Sequence, residues 1–191
     1  QQQAFPRDFA RVKTVVPWIQ YVAYCLSGKL VTEISGMACQ SNLLNMRDGG
    51  ESSLVKRMGW APLFPPMAKA WETIGTLRGE FLGNGFRGRG NVLAGVHDSN
   101  ANYLRYLAGG QKKFTLLSTG TWIIGFDTET GLASLIEERD TVSNTDVFGN
   151  RVGSGRFFGG REFEIVSGGA SGDMASLPAV QDLIATTTYA L

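Results

Sequence analysis

Glycine constrains this chain more than any other residue: 25 of the 191 positions, about 13%, are Gly, against an ordinary usage near 7%. The glycines follow no period, which excludes a collagen helix or a solenoid, and they are too dispersed for a flexible Gly/Ser linker. Such a chain must make many turns and close backbone approaches. The remaining composition, 43% hydrophobic and 18% charged, is that of a globular protein with one or two packed cores.

Charge removes two partner classes. With 18 basic against 17 acidic residues, net +1, no general field draws the protein to nucleic acid or to an anionic membrane. The glycine-arginine piece from Gly83 to Gly90 is a single short stretch rather than a repeated RNA-binding tract, and reads as a loop. No apolar run reaches the roughly 20 residues of a membrane span; Val15 to Leu26 and Leu116 to Phe126 are interrupted by Pro, Gln, Ser and Thr. Gln1 to Pro6 contain neither an initiator Met nor a secretory signal, so sequence upstream is expected. Cys25 and Cys39 read as reduced, buried side chains rather than a disulfide.

Local patterns predict several elements. Pro6 opens a short helix through Phe9, Val12 and Val16, and Pro17 opens a second,. In the second, Trp18, Tyr21, Val22, Cys25 and Leu26 recur at helical steps and are expected to face the core, with Gly28 as the cap,. Leu30 to Met46 is mixed and reads as loop. Ser52 or Ser53 caps a helix that Gly59 ends, and Leu63 to Pro66 runs extended,.

The chemistry concentrates further on. Asn91 to Val96 reads as a buried strand, and Asn100 to Leu107 as a helix with Tyr103, Leu104 and Leu107 inward,. Between them stand His97, Asp98 and Ser99. An acidic residue between the end of a strand and the start of a helix lies where α/β folds place ligands, but Asp98 or Ser99 also suits a plain helix cap. Phe114 to Leu117 and Trp122 to Phe126 are predicted strands flanking Ser118, Thr119, Gly120 and Thr121. That small hydroxyl-rich turn can offer backbone N–H groups and hydroxyls to a phosphate, or it is an ordinary hairpin.

In order and spacing these segments resemble the FGGY carbohydrate kinases, which include glycerol, xylulose, ribulose, rhamnulose and fuculose kinases. Pro17-Trp18 through Leu26-Ser27-Gly28 and Thr32-Glu33 resemble the family's "P…Y…LTG…TD…S" segment. Ala94 to Ala101 resembles its "GG…D…A" catalytic segment, and Leu117 to Thr121 its second phosphate motif, "SxGT". The resemblance implies an α/β, actin-like ATPase (ribonuclease H-like) two-domain kinase fold, present as an incomplete portion. Residues 1–110 would be the later part of the N-terminal domain and 111–191 the early part of the C-terminal domain.

By the same resemblance, Asp98 matches the general base, and Ser118, Thr119, Gly120 and Thr121 match the residues that hold the nucleotide phosphates. His97, Ser99 and Asn100 are candidate substrate contacts; His97 beside the base leans towards the rhamnulose and fuculose branch. No metal ligand is assigned, Mg²⁺ being carried by ATP near Asp98. ATP and a sugar or polyol are the implied partners, without nucleic acid or membrane, in a cytoplasmic enzyme for which a homodimer is entertained.

The sequence also departs from the family. It has no "DxGTT" phosphate loop. Ser167 to Gly172 superficially resembles the adenosine-binding "GGG" turn but follows Ser118 too closely; it is read instead as a strand-to-helix connection after Arg161-Glu162-Phe163. Two further readings compete with the kinase. A non-catalytic sugar- or nucleotide-binding module has no use for a base at Asp98, and a β-rich interaction domain is opposed by the helical patterns.

Overall fold

The computed structural model describes residues 2–39, 41–83, 86, 88, 90–169 and 176–186. The first half is built of short elements: α1 (Pro6–Phe9), α2 (Trp18–Ser27), β1 (Thr32–Glu33), α3 (Ile34–Ala38), α4 (Ser53–Met58), β2 (Met67–Ala68), β3 (Thr73–Thr76) and β4 (Asn91–Leu93). β1 runs parallel to β2 and β3 antiparallel to β4. The second half contains α5 (Asp98–Ala108), β5 (Thr115–Thr119), β6 (Ile123–Asp127), β7 (Thr141–Thr145), β8 (Arg151–Phe157), α6 (Gly159–Ser167) and α7 (Leu177–Ala185). Its four strands form an antiparallel sheet in the order β5-β6-β8-β7.

Sequence signals set several boundaries as expected. Gly28 ends α2 in the left-handed conformation, φ +74°, and its N–H reaches the Tyr24 carbonyl at 2.7 Å,. Ser52 caps α4 by accepting the Val55 N–H at 3.2 Å, a bond of about 1 kcal/mol in such positions. Gly59 closes α4 at φ +65°.

The face of α2 is corrected. Trp18 is 75% exposed and Tyr21 and Val22 are exposed, whereas Gln20 and Ala23 are buried. The Gln20 side chain donates to the Ala94 carbonyl at 3.1 Å, and a buried amide cannot forgo such a bond cheaply. That bond sets the rotation of the helix against β3 and β4, which it packs on.

Other expectations also shift. The first helix stops at Phe9 rather than reaching Val16. Leu30 to Met46 is not all loop: the Glu33 carboxylate caps α3 by accepting the Gly36 N–H at 3.1 Å. Leu63 ends a 3₁₀ turn before the chain extends. The strand expected from Asn91 to Val96 ends at Leu93, with Val92 and Ala94 buried but Leu93 exposed. Of the Gly83 to Gly90 loop, Gly83, Phe86, Gly88 and Gly90 lie outside helix and strand, and residues 84, 85, 87 and 89 fall outside the described residues. Arg161 to Ser167 belong to α6, and Gly168 caps it at φ +56°. The expected strand-to-helix connection is therefore the end of a helix; residues 170–172 fall outside the described residues.

The core lies between α5 and the four-stranded sheet. Tyr103, Leu116, Ile124, Phe126 and Val152 are buried together, with Leu107 and Phe114 packed against them. The Tyr103 ring stands 5.2 Å from Phe114 and 5.1 Å from Phe126, pairs that add about 0.5–1.5 kcal/mol each beyond area burial. This packing fixes α5, and hence its first residue, relative to the β5–β6 hairpin.

Candidate active site

Between β4 and α5 the backbone passes through Gly95 at φ +85°, where a Cβ would come within 2.8 Å of Ile19 Cγ2. Only glycine fits that crossing. Gln20 holds the Ala94 carbonyl from one side, and the Ser35 hydroxyl accepts the His97 N–H at 3.1 Å from the other. The passage into α5 is thus pinned by side chains from α2 and α3.

His97 occupies the cap position of α5 without a side-chain cap bond, and Asp98 is the first helical residue. Neither Asp98 nor Ser99 is the cap. Asp98 Oδ1 accepts the Ser99 N–H at 2.7 Å and lies 3.3 Å from His97 Nε2, while the carboxylate remains 90% exposed. An anionic group at a helix N-terminus is favourably placed, and its exposure leaves it free to meet a ligand.

Asp98 faces the hairpin turn. His97, Asp98 and Ser99 form one wall of a pocket of about 190 Å³ whose other wall is Ser118, Thr119, Gly120 and Thr121. Ser118 and Thr119 end β5, Thr119 pairs with Ile123, and the Gly120 N–H donates to the Trp122 carbonyl at 3.0 Å. The turn is therefore a hairpin and one wall of the pocket at once. Asn100 stands apart: it is fully buried, does not line this pocket, and its Nδ2 lies 3.5 Å from Cys39 Sγ.

One contributor has no signal in the motifs. The start of α6 braces the turn: the Arg161 N–H donates to the Thr121 carbonyl at 3.3 Å, and the Trp122 and Phe158 rings stand 4.6 Å apart. A Cβ on Gly160 would overlap the Gly120 carbonyl, standing 2.8 Å from its carbon. The Gly159-Gly160 dipeptide after a strand was the available clue.

A larger apolar groove of about 600 Å³ runs along the outward face of α2, but none of its lining residues is ionisable. For a magnesium nucleotide the smaller pocket has suitable donors: an exposed carboxylate and the hydroxyls of Ser118, Thr119 and Thr121 are hard oxygen groups. Among the described residues no cluster of three or more His, Cys, Asp or Glu is present; Asp98 is the carboxylate of this pocket that would stand near a metal brought by the nucleotide.

Comparison with known proteins gives the family and the fold. Residues 111–191 match the family described as carbohydrate kinase FGGY, C-terminal domain. The structure is similar to that of a carbohydrate kinase from Novosphingobium aromaticivorans, with 40% identity over 86% of this chain and 36% of the other, at a TM-score of 0.72. Xylulose kinases from Rhodospirillum rubrum (15% identity, 96% of this chain and 38% of the other, TM-score 0.63) and Lactobacillus acidophilus (14%, 95% and 38%, 0.64) share the fold. No curated protein gives a match to the sequence.

The fold is the mixed α/β, actin-like ATPase fold of these kinases, present as a portion. The chain belongs to the FGGY carbohydrate kinase family. It spans 36% to 38% of the length of the three solved relatives.

Proposed function

We propose that the complete enzyme transfers the γ-phosphoryl group of ATP to a hydroxyl of a ketose or polyol, with Asp98 as the general base. The observation that carries this reading is the pocket in which the exposed Asp98 carboxylate faces the Ser118–Thr121 turn. Phosphoryl transfer asks mainly for positioning and charge stabilisation. Asp98 accepts the proton of the attacking hydroxyl as its oxygen bonds to phosphorus and the bond to the bridging oxygen breaks, releasing ADP. Backbone N–H groups and hydroxyls of the turn hold the phosphate oxygens, and α6 keeps the turn from shifting. Mg²⁺ bound with the nucleotide supplies neutralising charge.

His97 and Ser99 border the space left for the acceptor. The Val96-His97-Asp98-Ser99 pattern leans towards deoxyketose acceptors. A division between first- and second-domain portions at 110/111 is part of the same reading, supported by the start of the family match at residue 111. The reading carries with it a cytoplasmic enzyme. A sugar- or nucleotide-binding module without turnover is the alternative.

The test is ATP consumption by the complete enzyme against a panel of ketoses and polyols in the presence of Mg²⁺. Turnover dependent on one acceptor class supports the kinase. Nucleotide binding without turnover on any acceptor favours the module.

A further inference from the structure

Glu33 is fully buried, and the reaction proposed above makes no direct use of its carboxylate. Its Oε2 accepts the Ser35 hydroxyl at 2.5 Å and the Gly36 N–H at 3.1 Å, while among the described residues its Oε1 has no hydrogen-bond partner. Burying a carboxylate with one oxygen unpartnered is costly, and simple stability is better served by apolar packing. What the carboxylate does achieve is orientation. A hydroxyl has one proton; because the Ser35 proton is committed to Glu33, the Ser35 oxygen presents its lone pairs to the His97 N–H, 3.1 Å away.

We propose that Glu33 and Ser35 are positioning residues for the reaction: the buried carboxylate orients Ser35, Ser35 holds the His97 backbone, and the Asp98 carboxylate is thereby aimed at the hydroxyl it deprotonates. The link crosses 62 residues of sequence between Ser35 and His97 and acts on the backbone immediately before Asp98. Its counterpart, Gln20 on the Ala94 carbonyl, holds the other end of the same passage. Displacements of about an ångström at a reacting group can cost about 100-fold in rate, so a single backbone anchor here controls turnover more than binding. This inference rests on Asp98 being the base.

The test is a double-mutant cycle in the complete enzyme with Ser35→Ala and Asp98→Asn. Ser35→Ala leaves the Glu33 bond to the Gly36 N–H in place and removes both bonds of the hydroxyl, its donation to Glu33 and its tie to His97. The expected result is a fall in kcat of about 10- to 100-fold with KM for ATP within about twofold, and no further fall when Ser35→Ala is added to Asp98→Asn, because Ser35 acts through that carboxylate. Unchanged kcat, or losses that multiply in the double variant, overturns the positioning role while leaving Asp98 as the base. Near-normal turnover of Asp98→Asn alone overturns the functional reading first and the inference with it. Should Ser35→Ala fail to fold, Glu33→Gln in the same cycle reads the same coupling, with the same two outcomes.

Discussion

Gly160, the second residue of α6, sits so close to Gly120 that a side chain on it would overlap the Gly120 carbonyl. The helix start and the hairpin turn are one packed unit. Gly160→Ala, which in an ordinary helix interior gains up to about 1 kcal/mol, is expected to cost about 1–3 kcal/mol through overpacking and to raise KM for ATP. Urea denaturation and ATP titration of the complete enzyme check both; a stabilised variant with unchanged KM would show that α6 does not brace the turn.

Thr121 separates side-chain from backbone roles. Its side chain is exposed on the pocket wall while its carbonyl accepts the Arg161 N–H. Thr121→Val keeps the carbonyl and loses the hydroxyl, so stability should hold while KM for ATP rises about tenfold or more, the worth of a hydrogen bond to a charged group. An unchanged KM removes the hydroxyl from the phosphate site.

Cys39 supplies a pH dependence unrelated to turnover. Burial pushes its thiol from 9.0 up to about 11, only partly offset by its hydrogen bonds with the Asn144 amide oxygen and the Asn100 amide N–H. The thiolate is the reactive form, so iodoacetamide should modify Cys39 at pH 8 at least about tenfold more slowly in the folded protein than in urea. Between pH 9 and 11 the unfolded chain releases this proton while the folded one keeps it, so stability falls as pH rises through that window. Cys39→Ala should flatten the fall; an equal slope in both proteins would contradict the shift.

The legible parts of the fold were those written in neighbouring residues. Proline starts, glycine caps and apolar steps placed α2, α4, α5 and the β5–β6 hairpin. The rotation of α2 was hidden because the buried Gln20 amide, bonded 74 residues away at Ala94, outweighs the apolar stripe of Trp18, Tyr21 and Val22. β8 was hidden because Val152-Gly153-Ser154-Gly155 shows no apolar alternation, although Val152, Gly153 and Ser154 are buried. At the site, motif spacing named both walls of the pocket. It gave no sign of the tie from Ser35 to His97 or of the approach of Gly160 to Gly120, since both depend on chain segments that meet only after folding. Asn100, next to the motif in sequence, turns inward with the buried face of α5.

Whether the Asp98 carboxylate takes the acceptor's proton is read from Asp98→Asn in the complete enzyme. The side chain is 90% exposed, so melting temperature and ATP binding should stay close to those of the parent. The rate of phosphoryl transfer should fall by about 10²–10⁴-fold, the usual contribution of a general base. Turnover within a few-fold of the parent would contradict the account.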